Sequence, residues 1–149
     1  MFSGGRLIIM TNGIPAEAFD FYDHLAADNT REFWAEHKSE YEQSVRQPLQ
    51  DLADILAPEF GPAHLYRPYR DVRFSKDKTP YKLEASALVS SEGRKGMATP
   101  GIYFALGPEA VRIYGGCYLP DRDQLHRIRT AIARDGSGLR KAIGGKAFK

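Results

Sequence analysis

The eighteen residues from Leu65 to Lys82 hold the chemistry of this chain. Arg67, Arg70, Arg73, Lys76, Lys78 and Lys82 are interleaved with Tyr66, Tyr69, Phe74 and Tyr81. Arginine offers a planar, bidentate donor fork suited to carboxylate and phosphate. From Ser75 to Pro80 the sequence reads as a turn, where backbone amides and the Ser75 and Thr79 hydroxyls can join Lys76 and Lys78 around an oxyanion. If residues 66–74 are extended, side chains alternate between two faces. Arg67, Tyr69, Asp71 and Arg73 then point one way, and Pro68, Arg70, Val72 and Phe74 the other. Arg70 falls among apolar neighbours and needs an anionic partner, because a guanidinium buried alone is costly. The expected site is Arg67, Arg70, Asp71, Arg73, Ser75, Lys76, Lys78, Tyr81 and Lys82, with Arg70, Arg73 and Lys76 converging in one pocket. It is not a phosphate-binding P-loop, because the glycines that motif requires are missing.

The plain alternative is a loop pinned by its own ion pairs, Arg70 with Asp71 or Lys76 with Asp77. A second wall for a pocket is available at Asn29, Arg31 and Trp34, which open a helix whose free amides and dipole favour anions. The plain reading there is that Asn29 caps and Trp34 packs. Asp71, Asp77 and Tyr81 are the nearest candidates for a general base or nucleophile. No Ser-His-Asp or Cys-His order supports an assignment, so catalysis is left open. Cys117 is the one cysteine and follows a Gly-Gly pair; alone it reads as structural. His24, His37, His64 and His126 lack metal-ligand spacing, so no metal site is expected. Nothing names a cofactor.

These residues need a framework, and composition bounds it. The chain has 149 residues, 42% hydrophobic and 11% aromatic, which fits one globular domain. Net charge is only +2. Between His64 and Lys82 six basic residues face two acidic ones, so the basicity is local and the remainder is slightly acidic. That suits a focused site better than a polyanion-binding surface. One cysteine excludes an internal disulfide and favours a reducing compartment. The apolar run Leu7–Met10 is too short for a signal core or a membrane span. The expectation is a cytoplasmic protein without membrane association: a tail over 1–12, with Met10 as an alternative start, then one α+β domain over 13–149.

Within that domain, Pro15 opens a helix carrying Ala18, Phe21 and Leu25. Asn29 and Glu32 predict a capped second helix, with a stripe from Phe33 through Val45 to Leu56 that Pro48 kinks or splits near Gln47. Pro58, Gly61 and Pro62 end the helical half. Strands follow at 83–89, 101–106 and 110–114, as an antiparallel meander, with a mobile polar segment at 90–99 and a break or bulge at Gly115-Gly116. Asp121 and Gln124 cap a helix with Leu125, Ile128 and Ile132, and 139–143 is a short helical segment. The fold class is α+β: N-terminal helices packed on an antiparallel β-meander, then a C-terminal helix.

The run Tyr69-Arg70-Asp71-Val72-Arg73-Phe74-Ser75-Lys76-Asp77-Lys78-Thr79-Pro80-Tyr81-Lys82 resembles the signature of the domain of unknown function 2461 family. Asn29-Thr30-Arg31-Glu32-Phe33-Trp34 is similar to that family's upstream motif, and Gly101 to Pro120 to its strand pair. The resemblance spans residues 13–148. It implies a protein of bacterial and fungal distribution, with no established activity to carry over. It also implies further chain beyond the equivalent of Lys149, and an aliphatic residue where this sequence has Pro68. Three functions compete on the residues: a small-molecule site, enzymatic or not, that holds a phosphate or carboxylate; a nucleic-acid module in which Tyr66, Tyr69 and Tyr81 stack on bases; and a scaffold held by ion pairs. The modest net charge favours the first over the second.

Overall fold

The structure, a computed structural model, describes residues 13–145; the expected tail over 1–12 lies outside them. The elements are α1 (Glu17–Ala27), α2 (Arg31–Glu40), a π-turn (Tyr41–Arg46), α3 (Gln47–Phe60), β1 (Ala63–Leu65), β2 (Ala85–Ser90), a 3-10 turn (Gly93–Ala98), β3 (Gly101–Leu106), β4 (Val111–Gly116), α4 (Arg122–Arg134) and α5 (Ser137–Ile143). The four strands form an antiparallel sheet in the order β1-β2-β3-β4. Helices, then a meander, then helices make this the expected α+β fold.

The register sets which chemistry goes where. Ala85, Ala87 and Val89 of β2 pair with Leu106, Phe104 and Ile102 of β3. These residues turn to the helices and join Phe21, Leu25, Trp34, Tyr41, Val45, Leu49 and Ala53 in one core. Burying each of the larger side chains contributes roughly 1.5–3 kcal/mol. The other face carries Ser86, Leu88, Tyr103 and Tyr114, with Leu88 paired to Tyr103 and Tyr103 to Tyr114. One sheet therefore has a helix-covered apolar face and an outer face of hydroxyls and rings.

Several local expectations are corrected. Thr30, not Asn29, caps α2, its Oγ1 accepting from the Phe33 amide at 3.2 Å. The helical path runs from Arg31 to Phe60, with the π-turn absorbing the register change just before Pro48, which sits in the first turn of α3. Because the path is already helical before it, Pro48 removes one backbone donor from the ladder, at the place where the π-turn gives way to α3. Pro58 lies within the last turn of α3, so the helix ends at Gly61, whose φ of 106° favours glycine. A Cβ at Gly61 would also stand 2.5 Å from the Ser90 carbonyl oxygen, so this glycine lets the helix end close on β2. The polar 90–99 segment contains the 3-10 turn, and the Ser90 hydroxyl donates to the Gly93 carbonyl inside it. Gly115 and Gly116 do not break β4; they pair with Ile102 and Gly101.

The C-terminal helices form as expected, and α4 has the full Asp121–Gln124 capping box. Its stripe does not enter the core: Ile128 is 47% exposed and no α4 residue is buried. A hydrogen bond from Gln124 Nε2 to the Ala98 carbonyl, 2.8 Å long, ties the start of α4 to the 3-10 turn. Among the described residues no helix is long and apolar enough to cross a membrane.

Candidate functional site

The basic stretch is the long excursion between β1 and β2. Its two arms meet at a single bridge, Tyr69 with Tyr81. The Arg70 amide donates to the Pro80 carbonyl and the Lys82 amide to the Pro68 carbonyl, each at 2.8 Å. Beyond that bridge the tip has no regular pairing, so its own side chains hold it. The Arg70 guanidinium donates to Asp77 and to the Thr79 hydroxyl. Asp77 Oδ1 accepts from the Thr79 amide at 2.9 Å and from its hydroxyl at 2.8 Å. Arg73 forks onto Asp71 at 2.7 and 2.9 Å, and Lys78 Nζ donates to the Val72 carbonyl at 2.9 Å.

This differs from simple alternation in two ways. The Arg70 side chain is 31% exposed and pairs with a carboxylate of its own loop, rather than lying buried among apolar residues. Phe74, expected beside it, is 96% exposed. The pairs also differ from the sequence expectation: Arg70 takes Asp77, and Asp71 goes to Arg73. Thr79 and Arg70 hold the Asp77 carboxyl well down, at about 2, chiefly through the Thr79 amide. Arg73 likewise lowers Asp71. Arg70 and Arg73 thus address different carboxylates of the loop. Arg67 and Lys76 are exposed, and Ser75 is half-buried.

The base of the loop is fixed from the helical side. Asn29 Nδ2 donates to the Tyr81 carbonyl at 3.0 Å, and Asn29 Oδ1 accepts from the Tyr81 amide at 3.1 Å. One carboxamide thus acts as a short rung of sheet. Trp34 stacks on the Tyr81 ring, centroids 4.2 Å apart and planes 7° apart. Tyr69 also packs on both, at 6.1 and 5.4 Å. Burial raises the Tyr81 phenol. Asn29 and Trp34 therefore serve as the loop's clamp. Arg31 is exposed at the start of α2 and exerts a charge effect on Tyr81. Trp34 Nε1 is buried with no hydrogen-bond partner among the described residues.

A cavity of about 650 Å³ opens on the outer sheet face beside this loop. That volume lies within the range of small-ligand sites. Tyr66, Tyr103, Tyr114 and Tyr118 supply its rings, Lys82 and Glu84 its charges. Tyr66 and Tyr103 stand 6.3 Å apart, and Tyr103 and Tyr114 6.1 Å apart, as a tilted row across the sheet. The Lys82 ammonium lies 5.9 Å from the Tyr66 ring centroid. Burial pushes the Tyr103 phenol up, while the Ser86 hydroxyl draws it back. Of the residues singled out in the sequence as a site, Lys82 alone lines this cavity.

Sequence reasoning missed the cavity's Tyr103, Tyr114 and Glu84. Their signal was present: Tyr103 and Tyr114 occupy the outward positions of two adjacent strands. The sequence offers Tyr66 as a base-stacking candidate together with Tyr69 and Tyr81. The structure separates them, since Tyr81 is 5% exposed against Trp34 whereas Tyr66 is on the outer face. Among the described residues no three His, Cys, Asp or Glu side chains gather as a metal site.

A family model described as conserved hypothetical protein (DUF2461) matches residues 17–149, and the chain belongs to that family. The description names no activity. No curated protein and no solved structure matches the chain.

Proposed function

We propose that this member of the DUF2461 family binds a small ring-bearing molecule with a carboxylate or phosphate group, in the outer-face cavity. The observation that carries the reading is the cavity's composition: a row of tyrosines ending at Lys82, its one cation among the described lining residues. The Lys82 ammonium is a compact donor for an anion, and the tyrosines offer apolar faces with hydroxyl edges for a ring. Lys82 is fixed at the root of the loop by the hydrogen bond its backbone amide donates to the Pro68 carbonyl. The loop's Arg67, Arg70, Asp71, Arg73, Ser75, Lys76 and Lys78 then act around that site: the paired ones shape the loop, and exposed Arg67 and Lys76 add positive potential near the entrance. Catalysis is not part of this reading.

The test is a thermal-shift and NMR titration with phenyl phosphate and benzoate, with benzyl alcohol as the neutral control. Both anions are expected to stabilise the protein and shift resonances of Tyr66, Lys82 and Tyr103. Lys82→Met removes the effect and leaves the unliganded melting temperature in place. Equal binding of benzyl alcohol, or shifts confined to residues 70–80, would reject the reading.

A further inference from the structure

We infer that the cavity's ligand is dipolar, carrying an ammonium as well as an acid on the ring-bearing body, as an aromatic amino acid does. This rests on the cavity being the binding site. It goes further in assigning a role to Glu84, which an anion alone leaves unused and would repel.

Lys82 and Glu84 lie two residues apart and line the same cavity. They are opposite charges, yet they do not pair. The ion pairs among the described residues are Arg46–Glu42, Arg70–Asp77, Arg73–Asp71 and Arg112–Glu109. The contrast with the neighbouring loop is sharp: there the cations Arg70 and Arg73 find carboxylates of the loop itself. Each cavity charge instead has a ring beside it. The Lys82 ammonium stands over Tyr66, and the Glu84 carboxylate meets the Tyr103 hydroxyl, whose phenol burial raises first and the charge and hydrogen bond of Glu84 raise further. Ser86, buried beneath them, keeps its side chain on the same face.

Two opposite charges held apart on one wall match a ligand with the complementary pair. An acid on the ligand takes Lys82 and an ammonium takes Glu84, while the tyrosine row takes the ring. A simple anion satisfies one charge and meets the other as repulsion. A simple cation has the reverse problem. Glu84 therefore serves as a specificity device against plain acids.

The probes are phenylalanine, phenylpropanoate and phenethylamine, which share a ring and differ only in which charge is present. Binding is read on the full chain by NMR titration of cavity resonances. Phenylalanine is expected to bind about tenfold more tightly than either single-charge analogue, the scale of one charge-assisted hydrogen bond. In Glu84→Gln the preference over phenylpropanoate disappears; in Lys82→Met the preference over phenethylamine disappears. The unliganded melting temperature and amide spectrum of each variant confirm that it is folded. If phenylpropanoate binds the wild type as tightly as phenylalanine, the dipolar inference falls and the anion site stands. If phenethylamine matches phenylalanine, both fall, because Lys82 then contributes nothing. If none of the three perturbs the cavity, the site itself is rejected along with the inference.

Discussion

The loop tip and the outer-face cavity adjoin at Lys82, and they treat charge in opposite ways. In the tip, Arg70, Arg73 and Lys78 each meet an acceptor from the same loop. In the cavity, Lys82 and Glu84 stand without each other. A charge paired within the loop holds shape; one left without an ion-pair partner has binding to offer. On this account a conspicuously basic motif is chiefly architecture, and the quieter tyrosine face beside it carries recognition.

The comparison is broken most severely at the clamp. Trp34→Ala removes the ring under Tyr81 and is expected to cost about 3–5 kcal/mol in chemical denaturation. Trp34→Phe keeps an aromatic surface there and removes the unpartnered N–H, so it should cost clearly less. Equal losses would mean that the indole nitrogen has a role the stacking does not explain. Next in size is Asn29→Ala, which strips both backbone groups of Tyr81 of their partner. A loss of about 1–3 kcal/mol is expected, with faster amide exchange at Tyr81. In the cavity, Lys82→Met should weaken phenyl phosphate about tenfold or more without moving the melting temperature.

How much of this the sequence disclosed depends on which forces fix each part. The helices and the meander were legible, because apolar period and capping residues are local signals, as with Asp121 and Gln124. Residues 65–82 stand out in composition as the basic, aromatic stretch of the chain. Their arrangement was not legible. Asn29 reaches across 52 positions to Tyr81, and that tertiary demand displaced the local capping role onto Thr30. The choice of Asp77 over Asp71 for Arg70 follows from how the tip folds back at the Tyr69–Tyr81 bridge. The cavity was hidden because its rings come from separate strands, and only the register brings Tyr103 beside Tyr114.

The smallest effect is a pH dependence in the tip. Asp77 titrates near 2, below its ordinary value of 3.8. Its contribution is therefore fully present above about pH 4 and is lost as pH falls toward about 2. Arg70→Ala should raise the Asp77 midpoint, followed by carboxyl NMR, and lower the melting temperature at neutral pH by no more than a few degrees, as for an exposed pair. An unchanged midpoint would remove Arg70 from the network.

The most direct test of the division between loop and cavity is a single crossed experiment. Phenyl phosphate is titrated into Arg70→Ala and into Lys82→Met, with cavity and loop amides followed together. The account predicts that Arg70→Ala binds with near-normal affinity at Tyr66 and Tyr103, and that Lys82→Met binds about tenfold or more weakly. Loss of binding in a folded Arg70→Ala, with retention in Lys82→Met, would contradict it and return the site to the loop.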